Sequence, residues 1–219
     1  MSLISSIVQG AAGVVGIRSG TEEPRFAVVE RIGGAVEVRR YEPRLAADVI
    51  VEGDETEARS AGFRRLARFI FGANTARQSI AMTAPVAQAP AGSVGSEKIA
   101  MTAPVAQMPV APIPAGPRGG SEQGWTIRFT MPGEYTRDTL PVPDDAGIAI
   151  VDVPAETVAV IVFSGATSVE AVHHQARLLR RILGTTDWRI VGPPVAQFYD
   201  PPWTLPMLRR NEVAVRVER

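Results

Sequence analysis

The spacing of apolar residues along the chain switches repeatedly between two periods, and each switch marks a predicted element. Val36 and Val38 alternate with charged neighbours, and after Pro43 the run 45–53 (LAADVIVEG) continues as strand. The second half repeats the order: Ile148 and Ile150 alternate, Pro154 intervenes, and 157–165 (TVAVIVFSG) follows. Each pair leads into a stretch with helical spacing. The first helix is predicted to start at Asp54, whose side chain caps free backbone amides, with Glu57 completing a capping-box-like pair. Ala58, Gly62, Leu66, Phe69 and Ile70 then share one face, with Arg59, Arg64 and Arg68 off it. The second helix is predicted to start near Thr167, with Glu170 in the matching place. Val172, Ala176, Leu179 and Leu183 form its apolar stripe and Gly184 ends it. Alternating strands close the halves at 125–131 and 212–218.

A shorter repeat lies between the halves. The segment IAMTAPVAQ at 80–88 recurs letter for letter at 99–107, and Pro-Val-Ala-Gln returns a third time at 194–197. Two identical strand-like copies joined by a short loop predict a hairpin or a duplicated edge strand. The Pro-, Gly- and Ser-rich stretches 89–97 and 108–124 are expected to be loops within one domain. Two helices and about eight or more strands in duplicated order predict an α+β fold. A pseudo-twofold β-β-α-β-β unit is used twice, giving a distorted β-barrel flanked by two helices. The groove where the halves meet suits a flat apolar ligand.

Composition narrows the function. The 219 residues are 45% hydrophobic and 21% charged, enough for a sizeable core in one domain. Lys plus Arg equals Asp plus Glu at 23 each, so no net field draws in a phosphate backbone and no nucleic-acid partner is expected. The absence of cysteine removes disulfides, thiolate nucleophiles, Cys-based zinc sites and thiolate-ligated haem. Residues 1–21 are expected to form a flexible or peripheral segment. The first twenty (MSLISSIVQGAAGVVGIRSG) have no basic residue before Arg18 and fall short of the ~20 consecutive apolar residues that span a bilayer. A cytoplasmic monomer or weak oligomer without a membrane span is the expectation.

Candidate chemistry is sparse. His173 and His174 are adjacent on the second helix and point about 100° apart, so they cannot share a metal. A solvated or boundary imidazole is the ordinary reading of both; His173, on the flank of the stripe, is the candidate axial ligand to a haem iron. Gly33-Gly34, Gly119-Gly120 and Asp144-Asp145 read as turns. No catalytic triad, nucleophile elbow or phosphate loop occurs, so a binding protein is expected rather than an enzyme. The most unusual segment is FYDPPWTLPMLRR, 198–210. Its aromatics serve either to plug the barrel end or to wall a pocket. As a wall, Tyr199 and Trp203 present flat faces, Met207 adapts its shape, and Arg209 or Arg210 meets a ligand carboxylate.

Several segments together resemble the SOUL haem-binding family: VEVRRYEP at 36–43, residues 62–74 around helix one, both IAMTAPV copies, WTIRFTMPGEYT at 125–136 and YDPPWTLPMLRRNEV at 199–213. The resemblance covers nearly everything from Phe26 onward and makes 22–219 a single SOUL-like domain. It implies the distorted barrel with two helices, shared with bacterial drug-sensing effector-binding domains, and non-covalent binding of haem or another tetrapyrrole. It places the ligand against Phe63, Ala67, Arg68 and Phe71 on the first helix and Trp203, Leu205 and Met207 on the loop before the last strand. Arg68 with Arg209 or Arg210 then pairs with propionates. The histidine that serves as axial ligand in one animal branch is replaced here by Arg40, which leaves apolar contact and carboxylate pairing, or a different ligand.

Overall fold

A computed structural model describes residues 21–76, 97–110, 124–200 and 203–219. The first half contributes β1 (Phe26–Ile32), β2 (Val36–Tyr41), β3 (Arg44–Glu52), helix α1 (Glu55–Ile70), β4 (Asn74–Thr75), β5 (Val105–Pro109) and β6 (Gly124–Thr130). The second contributes β7 (Val142–Pro143), β8 (Ile148–Val153), β9 (Glu156–Phe163), helix α2 (Val169–Leu183), β10 (Arg189–Ile190), β11 (Val195–Phe198) and β12 (Asn211–Glu218), with a 3-10 turn at Pro206–Leu208.

One antiparallel sheet runs β1-β2-β9-β12-β11-β5-β6-β3-β8, with β10 beside β12, and curls into a half-barrel. The order is symmetric about the β11/β5 contact: β2-β9-β12-β11 on one side corresponds to β8-β3-β6-β5 on the other. The β-β-α-β-β duplication is therefore real, and the halves exchange their first strands, β2 pairing with β9 and β8 with β3. Two Pro-Val-Ala-Gln copies meet at the centre, Ala196 opposite Gln107 and Gln197 opposite Ala106. The copy at 80–88, with the hairpin expected of it, and segment 1–20 lie outside the described residues. The loop expected at 108–124 starts later: Met108 and Pro109 extend β5 and pair with Thr126 and Trp125.

Both helices lie on the same face of the sheet. Asp54 caps α1, its Oδ1 accepting from the amides of Thr56 (2.8 Å) and Glu57 (3.0 Å). The five residues of its expected stripe are all buried, among Val49, Trp125, Ile127 and Ile148. Ser168, one residue after the expected start, caps α2, and the four residues of that stripe pack on Val36, Val38, Ile161, Val213 and Val215. Gly33 and Gly34 take positive φ (56° and 71°) in the turn between β1 and β2, a conformation open to glycine at no steric cost. No helix among the described residues is long and apolar enough to cross a membrane.

The opposite face carries a second apolar cluster, Tyr41, Val158, Val160 and Ala214, and inside it a buried ion network. Glu212, fully buried, accepts from Arg39 Nη1 (3.1 and 3.0 Å), Arg210 Nη2 (2.8 Å) and the Tyr199 hydroxyl (2.8 Å). Burial opposes the Arg39 charge, but Glu212, Tyr41 and Glu37 together outweigh it and hold the guanidinium above its ordinary value. Burial and the same carboxylate push the Tyr199 hydroxyl up.

Asp144 and Asp145 form the expected turn, and the turn is fastened to α1. Asp145 accepts from Arg65 Nε (2.7 Å), Arg65 Nη2 (2.8 Å) and the Gly147 amide (2.9 Å), which together hold its carboxyl down at about 2. A depressed carboxyl pKa stabilises the fold above its unfolded value of 3.8, and that stability is lost as pH falls toward 2. Asp145→Asn is therefore expected to lower Tm at pH 5–7, a loss of stability of no more than about 1 kcal/mol because both side chains are more than a third exposed. The gap from wild type closes between pH 4 and 2 in melting curves; a gap that persists at pH 2 removes the carboxylate as its cause.

Candidate functional site

Directly opposed residues of antiparallel strands project to the same face. The registers therefore define a row across the sheet beneath the helices: Phe163, Asn211, Phe198, Val105, Phe129. Two residues along, a second row runs Ile161, Val213, Ala196, Gln107, Ile127. Helix α1 crosses both. Gly62 meets Ile127, and Gln107 Nε2 donates to the Glu55 carbonyl (2.7 Å). On the first row, the Phe63 ring packs edge-on against Phe129 (5.5 Å between centroids), and the Arg59 guanidinium lies 4.5 Å over Phe198. Arg59, Phe63, Ala67 and Phe71, at four-residue spacing, form a stripe of α1 flanking its core face.

The aromatic loop leaves the sheet at Phe198 and returns at Asn211, closed by a bond from the Tyr199 amide to the Arg210 carbonyl (3.3 Å). Its 3-10 turn is tied to the end of β9, the Gly165 amide donating to the Pro206 carbonyl (2.8 Å). Two residues further on, the Thr167 carbonyl accepts from Arg59 Nη2 (3.2 Å). The inner end of the groove is thus where α1, the start of α2 and the root of the loop converge. The loop's large apolar groups stand in solvent: Trp203 is 63% exposed and Met207 73%, with Leu205 and Leu208 also exposed.

The residues singled out from the sequence divide into three groups. Phe63 and Ala67 line the groove, and Trp203, Leu205 and Met207 form the exposed loop at its end. Arg68 and Phe71 lie toward the far end of α1, Phe71 about 18 Å along the axis from Arg59 at 1.5 Å per residue. Tyr199 and Arg210 turn to the opposite face, because strand alternation sends Phe198 to the groove and its neighbour away from it. There Arg210 pairs with Glu212 and, at 3.0 Å, with Glu23. Arg209 donates to the Thr204 carbonyl (2.8 Å). His173 is about half exposed, its Nε2 3.5 Å from Glu55 Oε2, and burial raises the Glu55 pKa against the opposing pull of His173 and Arg59. Arg40 is exposed on β2, with β9 and β12 between it and β11.

Arg59, Phe198 and Asn211 were not singled out from the sequence. Arg59 was legible as the position one turn before Phe63. Asn211 was not, because its place beside Phe198 depends on strand register. A separate cleft of about 560 Å³ opens among Glu22–Arg25, the β2–β3 turn, residues 130–137 and the end of β8. Of its charged lining residues, Arg137 pairs with Asp152 within the cleft (2.5 Å), while Arg44 pairs with Glu156 (2.5 Å) and Glu23 with Arg210 (3.0 Å) outside it. Among the described residues no group of three or more His, Asp or Glu side chains is placed to hold a metal ion.

The described residues form an α+β domain, a curled antiparallel sheet with two helices on one face and partly exposed apolar side chains beside the first helix. The family model described as SOUL heme-binding protein matches residues 21–94 and 89–216, and the chain belongs to that family. No curated protein matches it. Among solved structures it is similar to the C-terminal domain of EcmrR, with TM-score 0.52 at 9% identity over 84% of this chain and 97% of that one. It is also similar to EcmrR in an EcmrR–DNA complex, with TM-score 0.54 at 9% identity over 99% and 69%. An uncharacterized conserved protein from Listeria innocua gives TM-score 0.51 at 11% identity over 91% and 94%. At these identities the structural likeness concerns the fold alone.

The groove fits a tetrapyrrole in two respects, a flat apolar wall and a cation at its inner end. No histidine belongs to the α1 stripe, the two sheet rows or the 203–208 loop; His173, on α2, has its Nε2 3.5 Å from Glu55 Oε2.

Proposed function

We propose that this protein binds haem or a related tetrapyrrole non-covalently in the groove between the Arg59–Phe71 stripe and the 203–208 loop, for buffering, transport or sensing rather than catalysis. The observation that carries this reading is the large apolar surface left in water at the groove, where Phe63, Phe71, Trp203, Leu205, Met207 and Leu208 are all exposed. Contiguous exposed apolar surface marks a binding region in soluble proteins. Family membership narrows the ligand class, and apolar contact takes the place of a strong axial bond.

The test is a titration of the purified protein with haem and with protoporphyrin IX, followed by Soret absorbance, beside a Trp203→Ala/Met207→Ala variant. Saturable one-to-one binding of both pigments is expected, about tenfold weaker in the variant, equivalent to about 1.4 kcal/mol. Binding no stronger than to an unrelated control protein would remove the reading. A second reading, a sensor of non-porphyrin ligands, draws on the fold shared with EcmrR. It is favoured if amphipathic cations, and not porphyrins, raise Tm.

A further inference from the structure

We propose that Arg59, with Asn211 beside it, receives a carboxylate group of the ligand at the inner end of the groove; this rests on reading the groove as the binding site. Arg59 Nη2 is satisfied by the Thr167 carbonyl, but Nη1 is buried without a partner among the described residues. Among the described residues no carboxylate forms an ion pair with Arg59. The carboxylate one turn earlier on the same side of the helix, Glu55, directs Oε2 toward His173 at 3.5 Å. Burial draws the Arg59 pKa down and Glu55 offsets this only in part, so the guanidinium charge is incompletely compensated.

Asn211 supplies the second, independent observation. It is 1% exposed, its Nδ2 has no partner among the described residues, and it sits directly opposite both Phe198, under the Arg59 guanidinium, and Phe163. Two unmatched donors on one face of the sheet call for a group that only accepts, and a carboxylate offers two such oxygens. The surrounding floor of Phe163, Phe198, Val105 and Phe129 selects a carboxylate on an apolar, preferably aromatic body. Gln107 Oε1, buried and unpaired one row away, is left for a donor on the ligand. Arg59 thereby replaces Arg210, already paired with Glu212 and Glu23, as the anchor for an acidic substituent.

The experiment compares 2-naphthoate with neutral 2-naphthamide, and protoporphyrin IX with its dimethyl ester, on wild type, Arg59→Gln and Arg59→Lys. Affinities come from titration, and the Asn211 side-chain amide is followed by NMR in wild type, so that the test survives a poorly folding variant. We expect each acid to bind about tenfold tighter than its neutral counterpart, with the preference erased in Arg59→Gln and partly kept in Arg59→Lys. The Asn211 amide resonance shifts with naphthoate and not with naphthamide. The proposal is overturned if naphthoate and naphthamide bind alike, if neither binds, or if the preference survives in Arg59→Gln. A naphthoate preference without porphyrin binding sinks the tetrapyrrole reading and leaves the carboxylate site. Equal binding of porphyrin and ester, with no naphthoate preference, does the reverse.

Discussion

Glu212→Gln is expected to lower the unfolding free energy by about 3–5 kcal/mol, the cost of breaking a buried ion pair from one side. Glu212 is fully buried and Arg39 is 3% exposed, so water cannot replace the lost charge. Arg39 keeps Glu37 at 2.8 Å and Arg210 keeps Glu23, which sets the cost toward the lower end of that range. Replacing the pair together, Arg39→Met with Glu212→Leu, is expected to recover part of the loss. Two apolar groups of similar volume fit the Tyr41, Val158 and Val160 surroundings without desolvating a charge. Urea denaturation of wild type, Arg39→Met, Glu212→Leu and the double variant measures the coupling. A Glu212→Gln variant within 1 kcal/mol of wild type would show that the network contributes little. The same network lies on the face away from α1, so groove ligands are expected to bind the folded Glu212→Gln protein with wild-type affinity.

Gly62→Ala is the second large effect, and here two physical terms oppose each other. In an isolated helix the change is favourable by about 1 kcal/mol. In this protein a Cβ at position 62 falls 2.3 Å from Ile127 Cγ1 and 2.7 Å from Ile127 Cβ, closer than any real contact. Helix and strand must separate or Ile127 must leave its rotamer, and overpacking of this kind costs about 1–3 kcal/mol. With the contact this close the clash wins, by a net loss of up to about 2 kcal/mol. Ile127→Ala in the same chain removes both Cγ atoms that the new Cβ would meet, so the two changes are expected to couple favourably, and calorimetric Tm values for the cycle measure that coupling. A Gly62→Ala protein that melts higher than wild type would mean that α1 does not lie this close to β6. Because Arg59 and Phe63 flank Gly62, lifting the helix is also expected to weaken groove binding.

Much of the architecture was legible because it is local. Apolar spacing and capping residues identified both helices, their buried faces and the caps to within one residue, since an N-cap and a stripe depend on side chains within a few turns of each other. The duplication was legible because both halves bury the same faces in the same order. The exchange of first strands was not: β2 and β8 each find their partner across more than a hundred residues, and nothing in either strand records which neighbour it will meet.

For the candidate site the division is sharper. Phe63, Ala67 and the Trp203–Met207 loop could be named from helix geometry, composition and family resemblance. Tyr199 and Arg210 looked equally suitable as residue types, yet the alternation of the chain beyond Phe198 turns them to the opposite face and into the Glu212 network. By itself the sequence determined the two helices, their core stripes, the turn residues and the doubled order of elements, all set by contacts a few residues apart. Only the tertiary structure decided which face each aromatic and arginine occupies, and which donors are buried without a partner. Those outcomes depend on strand register and on how closely α1 approaches the sheet, and both are settled only when distant segments pack together.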